Sequence, residues 1–291
     1  MIDLHSHTDQ SDGTDSPAEL VALARGRNLE ALAITDHDTL AGYDLAAPVA
    51  RECGLDLVCG VEVSTRLDAP PPEGAPVKRR SSIHLLAYFP VAAPPPQFRD
   101  WLLQWQKARR ERNLRLIARL NALGVAIELA EVEALGRYMT GRPHFAQILV
   151  RKGHARTIQD AFDRYLADGA QASVERDEPG LFEAIRAVRE MGGIPSLAHP
   201  MRLPEAATPA ALEGLVQKAC GHGLGGIEVY YSDHTPGQTE LLAGLADKLG
   251  LVATGGSDYH GDNKPGIRLG NGRGPLKIEK RVLDRLRAVA N

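Results

Sequence analysis

Short apolar and β-branched runs alternate with helix-period patterns along most of this 291-residue chain, and most of the runs stop at a His, Asp or Glu. Runs at residues 2–4, 31–35, 55–64, 82–89, 194–198, 226–231 and 251–254 read as strands. Helical patterns fall at about 17–25, 40–52, 183–191, 209–220, 236–249 and 279–289. A strand followed by a helix and another strand implies a crossover connection, which sets the two strands parallel. An α/β chain around a parallel sheet is therefore expected, long enough for one barrel-sized domain or two ordinary ones. Local signals agree. Ser16 and Pro17 read as the N-cap and first residue of a helix, Asp38 or Thr39 as the cap of the next, and the pairs Gly192, Gly193 and Gly255, Gly256 as tight turns into strands.

The alternation stops between about residues 94 and 170. Pro94, Pro95 and Pro96 cannot continue a strand, and the residues after them have helical periodicity and almost no strand signal. The stretch reads as an inserted helical subdomain, 94–170, which divides the remaining domain into 1–93 and 171–291. Helical spacing spreads its Arg109, Arg110, Arg112, Arg115 and Arg119 around a surface, with few aromatics between them. A solvated, ion-paired face is the expectation for them, rather than a groove for single strands. A second proline-rich stretch, 69–76, followed by Lys78, Arg79 and Arg80, reads as an extended loop with solvated charge.

A 43% hydrophobic and 24% charged composition is that of an ordinary globular protein and excludes disordered and fibrous classes. The net charge of -3 gives no whole-molecule attraction to nucleic acid or anionic membrane, so a phosphate-bearing ligand needs local cations or metal ions. Cys53, Cys59 and Cys220 are odd in number and lack Cys-x-x-Cys spacing, which indicates neither a disulfide framework nor a zinc knuckle. Asp3, His5, His7 and Asp9 interrupt any signal-like apolar run, and no stretch approaches the roughly 20 apolar residues of a membrane span. The expectation is a cytoplasmic protein without membrane contact or an obligate protein partner.

Barrel enzymes gather their reacting groups at the C-terminal ends of strands. Those ends carry His5, His7, Asp12, His37, Glu62, His84, His199, Asp258 and His260 here. The set has no thiolate, so it suits Mn, Fe, Zn or Mg in a catalytic site better than a structural zinc site. Residues i and i+2 of an extended strand point to one side, so His5 and His7 can reach one ion, and the same holds for Asp258 and His260. Adjacent divalent ions clamp attacking and leaving oxygens and lower the pKa of bound water to roughly 7, which suits phosphoester hydrolysis. A lone core His is more often a hydrogen-bonded structural residue, and Glu62 alone reads equally well as a core ion-pair partner. Independent structural residues, however, would not recur at successive strand ends.

Six segments resemble the motif set of the polymerase and histidinol phosphatase superfamily: His5 and His7 with Ser11 to Gly13, Thr35 to Asp38, Gly60 to Glu62, Ile83 to Leu86, Ala198 to Pro200, and Gly256 to His260. They keep the family order over nearly the whole chain. The resemblance implies a metal-dependent phosphoesterase with a distorted (β/α)7 TIM-like barrel. It implies two or three divalent ions, with manganese first among them, held by the nine residues, with Glu62 and Asp258 in bridging positions. The insert and the segment Thr140, Gly141, Arg142, Pro143, His144 resemble the nucleotide-directed subgroup. That implies loss of the 3′-phosphate from a 3′,5′-nucleoside bisphosphate by attack of metal-bound hydroxide, with Arg142 and His144 gripping phosphate or receiving the leaving oxygen.

Arg142 reads alternatively as an ion-pair partner inside the insert. His234 is a candidate acid or an exposed loop residue, and Arg202, Lys264 and Arg268 are further phosphate candidates. Rival readings are 5′-3′ trimming of short RNA or DNA, histidinol-phosphate hydrolysis, amidohydrolase chemistry and a non-catalytic phosphate-binding barrel. Amidohydrolase chemistry lacks a carboxylated-lysine candidate at a strand end. A non-catalytic barrel would need eroded ligands, and none of the nine is eroded.

Overall fold

The computed structural model describes residues 1–67, 83–136, 139–175, 177–274 and 276–290. The proline-rich stretch 69–76 and Lys78, Arg79 and Arg80 lie outside the described residues. All seven apolar runs form strands: β1 (Ile2–Asp3), β2 (Ala31–Ile34), β3 (Asp56–Thr65), β4 (Ile83–Phe89), β5 (Ile194–Leu197), β6 (Gly226–Tyr231) and β7 (Val252–Gly256). They lie side by side in sequence order. Backbone hydrogen bonds from Leu4 to Gly255 and from Asp258 to His5 run across the seam between β1 and β7, so the sheet is a nearly closed barrel.

The expectation of a parallel sheet fails at one strand. β4 runs antiparallel to both β3 and β5, with Ser64 opposite His84 and Cys59 opposite Phe89. The sequence shows no helix pattern between the two strands, whereas a parallel pair is usually joined through a crossover helix. His84 consequently reaches the barrel mouth from the beginning of its strand, not from its end.

Helices α1 (Pro17–Gly26), α2 (Ala41–Cys53), α7 (Leu181–Glu190), α8 (Pro209–Gly221) and α9 (Pro236–Leu249) cover the outside, and α10 (Arg281–Ala290) packs its Leu283 and Leu286 with Ile2, Val58 and Tyr88. α1 begins as its sequence predicts, with Ser16 and Glu19 in a reciprocal capping box after which Pro17 opens the helix. α2 differs. Its N-cap is Leu40, and only Thr39 contributes, accepting the Ala41 N–H at 3.2 Å, while Asp38 turns away towards Ser64. Gly255 and Gly256 are likewise not a turn: they end β7, where a Cβ on Gly256 would stand 2.2 Å from the His5 Cβ.

Strand alternation decides what fills the barrel. Val61, Val63, Leu85 and Ala87 face outward against Leu181, Ile185 and Val188 of α7. Val58, Leu86 and Tyr88 belong to the other face, where they pack with Leu4 and Ile194. Glu62 and His84 share that inner face, one or two pleats nearer the mouth. The barrel is thus apolar at its base and ionisable at its mouth, as the period of 2 requires.

Between β4 and β5 run α3 (Pro96–Ala122), α4 (Leu129–Gly136), α5 (Arg142–Arg151), the short α6 (Ile158–Ala161) and a π-helical turn at Phe162–Leu166. Phe98 and Leu102, in the first turns of α3, belong to the barrel's core. Leu116, Ile117 and Leu120, further along the same helix, pack with Val132, Phe145, Leu149 and Tyr165 in a second cluster. Among the described residues no helix is long and apolar enough to cross a membrane.

Candidate metal centre and substrate cavity

The strand ends bring the nine sequence-predicted ligands together. His5 and His7 approach one carboxylate from the same side, with Nε2 atoms 3.2 and 3.1 Å from Glu62 Oε2, and both lie 3.5 Å from Asp258 Oδ1. Glu62 Oε1 faces His84 Nδ1 at 2.8 Å and His199 Nε2 at 3.0 Å. Asp12 meets His260 Nε2 at 3.2 Å and His37 Nε2 at 3.7 Å. Three groupings have donor atoms within 4.8 Å of one another: His5, His7, Glu62, Asp258; His37, Glu62, His84; and His7, Asp12, His37, His260. Glu62 falls in two groupings and Asp258 in one.

Asp258 and His260 fall in different donor groupings, although His260 Nδ1 stands 3.4 Å from Asp258 Oδ1. Asp258 takes a left-handed backbone, φ 57°, and His260 Nδ1 turns back onto the Asp258 carbonyl at 2.9 Å. That bend sends the imidazole to Asp12 and the carboxylate to His5 and His7. Asp38 and His199 also have positive φ, 51° and 27°. Such strain persists only where the surroundings over-determine it, and three of four non-glycine instances adjoin this centre.

Divalent ions fit this donor set. His199 Nδ1 is buried without a partner among the described residues, and His5 Nε2, His7 Nε2 and His37 Nδ1, equally buried, face Glu62 Oε2 without hydrogen-bond geometry. A buried imidazole nitrogen left so is costly unless something binds it. The mixture of imidazole and carboxylate without thiolate is the chemistry of Mn, Fe, Zn or Mg. Without ions the site holds protons instead. Burial opposes a charged His7, but Asp258 and Glu62 prevail and push it up to about 9, whereas burial and the nearby His7 push His260 down to about 4. Glu62, despite its burial, is held well below the usual carboxylate range by His84, His37 and His5.

Several supports escaped the sequence reading. Glu228, fully buried on β6, takes His5 Nδ1 at 2.8 Å on one oxygen and the His199 N–H at 2.7 Å on the other. It fixes the tautomer that leaves His5 Nε2 facing Glu62. The only signal was one acid inside an apolar run. Asp36 accepts from the Thr8 N–H and hydroxyl and from Ser11, and so shapes the loop that carries His7 and Asp12. Asp3 receives the N–H groups of Ser257 and Gly270. Tyr231 and Lys264 both donate to Asp258 Oδ2, at 2.7 and 2.6 Å.

A cavity of about 320 Å³ opens over the centre, lined on one side by Asp12, His37, His84 and His199 and on the other by Arg109, Met139, Arg142 and His144 of the insert and by Phe162. Gly141 caps α5, so Arg142 and His144 occupy its first turn at the cavity wall. His144 Nδ1 accepts the Gly141 N–H at 2.9 Å, and burial lowers the ring's affinity for a second proton, which leaves the remaining proton on Nε2. Arg142 directs Nη1 to Asp168 at 3.2 Å and lies over the Phe162 ring at 5.9 Å.

Arg202 also lines the cavity, with Asp233 at 3.2 Å. Lys264 is engaged by Asp258, and Arg268 is exposed on the turn it closes with Gly272. His234 is not brought to the cavity: its Nδ1 faces the Val229 carbonyl at 2.9 Å, and the Tyr231 ring stands between it and His199.

A seven-stranded barrel with imidazoles and carboxylates gathered at its mouth defines the class, and residues 3–168 match the PHP domain, so the chain belongs to that family. It is a metal-dependent phosphoesterase. Among its relatives are the 5′-3′ exoribonuclease Rnm of Salmonella typhimurium, 38% identical over 93% of this chain and 88% of that one, and the 3′,5′-nucleoside bisphosphate phosphatase of Chromobacterium violaceum, 30% identical over 93% and 90%. A crystal structure from Bifidobacterium adolescentis, of a protein assigned as a metal-dependent phosphoesterase, superposes with a TM-score of 0.80 at 31% identity, covering 99% of this chain and 95% of its own. A sulfate-bound amidohydrolase structure from Chromobacterium violaceum gives 0.80 at 29% identity, over 98% and 96%.

Proposed function

We propose that this phosphoesterase removes the 3′-phosphate of a 3′,5′-nucleoside bisphosphate, converting the adenine compound to AMP and phosphate. The observation that carries the reading is the cavity: ligand-rich on one wall, cationic and partly apolar on the other, and about 320 Å³ in volume, near the lower end of small-molecule sites. The relative named for this substrate supports it. Bound divalent ions would polarise the scissile phosphoryl group and acidify a water.

The chain's own residues do the rest. Glu62 and Asp258 bring negative charge into the histidine cluster, and Glu228 holds His5 in the tautomer that leaves Nε2 toward Glu62. Arg142 adds positive charge on the wall facing the histidine cluster, and His144, neutral and buried with Nε2 turned towards Gly136, shapes that wall.

A second reading is 5′-3′ trimming of short RNA, favoured by the 38% identity to the Salmonella exoribonuclease. Initial rates with manganese on adenosine 3′,5′-bisphosphate, on 5′-phosphorylated oligoribonucleotides and on histidinol phosphate separate the readings. Turnover of the oligonucleotides without turnover of the bisphosphate would sink the first.

A further inference from the structure

Arg109 has the character neither of a surface arginine nor of a purely structural one. Its side chain is 16% exposed, and Nη2 donates both to Asp38 and, at 2.8 Å, to Ser64 Oγ. Gln106, one turn earlier on α3, donates to the Asp38 carbonyl at 2.9 Å, so this part of the insert is fastened to the residue after His37. Nη1 has no partner among the described residues. It stands 3.5 Å from where a Cβ on Gly141 would lie, beside the start of α5, and the residue lines the cavity opposite the metal ligands.

Arg142 contrasts with it, since its Nη1 is already directed to Asp168 and the Leu166 carbonyl. A guanidinium carries five N–H donors in one plane. When one end is fixed by a carboxylate and a hydroxyl, the other presents its donors with little rotamer freedom left to lose. Arg109, Arg112, Arg142 and Arg202 line the cavity, and Asp38, Asp168 and Asp233 each engage one of them, so what the wall offers an anion is oriented guanidinium donors and not an excess of charge.

We propose that Arg109 binds the substrate phosphate that is not cleaved, an assignment that rests on the nucleotide phosphoesterase function above. The scissile group then lies at the ligand-rich wall. The second phosphate meets Arg109 Nη1 beside Gly141.

The test is calorimetric titration of the manganese-loaded protein with adenosine 5′-monophosphate and, separately, adenosine. Wild type binds the monophosphate more tightly, and Arg109→Gln loses that preference by about 10- to 100-fold, the range of a charge-assisted hydrogen bond. Arg109→Lys, which keeps the charge without the fork, retains part of the preference and carries the test should the Gln variant not fold. Equal affinity of wild type for the two ligands overturns the assignment. So does unchanged preference in both variants, or an equal loss for both ligands, which would mean that Arg109 acts only through Asp38. Intact preference with no hydrolysis of the bisphosphate refutes the substrate proposed above and supports the arginine's role.

Discussion

Glu62 lies within 3.5 Å of five imidazoles, those of His5, His7, His37, His84 and His199, and every donor grouping but one passes through it. Glu62→Gln is therefore expected to lower the metal content of the purified protein and to abolish turnover together, as elemental analysis beside rate assays will show. Glu228→Gln acts one step removed: it frees the His5 ring and should weaken metal affinity by about 10- to 100-fold while the fold survives. Retained affinity in that variant would show that Glu228 does not orient His5.

Protons compete for the same nitrogens. His7, pushed up to about 9, and His5, also raised because Glu228, Glu62 and Asp258 outweigh its burial, hold protons in the metal-free form that bound ions must displace. The metal-free state thus binds more protons than the metal-bound one, and affinity rises with pH until about 9. Titrations in buffers of different ionisation enthalpy should record net proton release; proton uptake would contradict it. The convergence of the nine residues was legible because a His or an acid recurring at the ends of successive apolar runs has few structural reasons to be there. Glu228 was not, because its partner His5 lies 223 residues away and no local pattern announces the pair.

At the scale of elements, the direction of β4 was hidden in the sequence, since periodicity reports which face a residue takes and not which way its strand runs. The lack of a helix pattern in the sequence between β3 and β4 was the cue. The arginines of α3 misled in a similar way: helical spacing gave no sign that Arg112 is buried and Arg109 largely so, which depends on the barrel wall they lean against. The insert has its own apolar cluster around the fully buried Phe145, which suggests that it can lose order by itself. Phe145→Ala should cost about 3–5 kcal/mol in that cluster. The variant is expected to keep its metal content and lose nucleotide binding. Loss of metal in parallel with nucleotide would argue against 94–170 as a separate unit.

For the whole molecule, folding has to bring His5, Glu62, His84, His199 and Asp258 together from strands spread along the chain. Ions that bind only the closed barrel stabilise it by mass action, about 4 kcal/mol at a thousandfold excess over Kd. Chelation should accordingly lower the melting temperature, and restored manganese should raise it in a concentration-dependent way. A melting temperature indifferent to chelator would mean that the site does not bind metal in the folded state.

The barrel was readable from strand and helix alternation, and the helical run after β4 from its periodicity. Its reach was not. β4 runs downward, so the chain leaves it near the base, where Arg287 of α10 bonds Pro90 and Phe89 packs on Phe98. The 27 residues of α3 climb back towards the mouth, about 40 Å at 1.5 Å each. Such a helix is a ruler as well as a strut. One residue added between Trp101 and Arg109 would lift everything beyond it by ~1.5 Å and swing it by ~100° about the helix axis. Arg142 and His144 would then be carried away from the metal-ligand wall, and Arg109 would leave Asp38 and Ser64. The length of an outer helix, ordinarily free to drift, is in this protein a dimension of the active site.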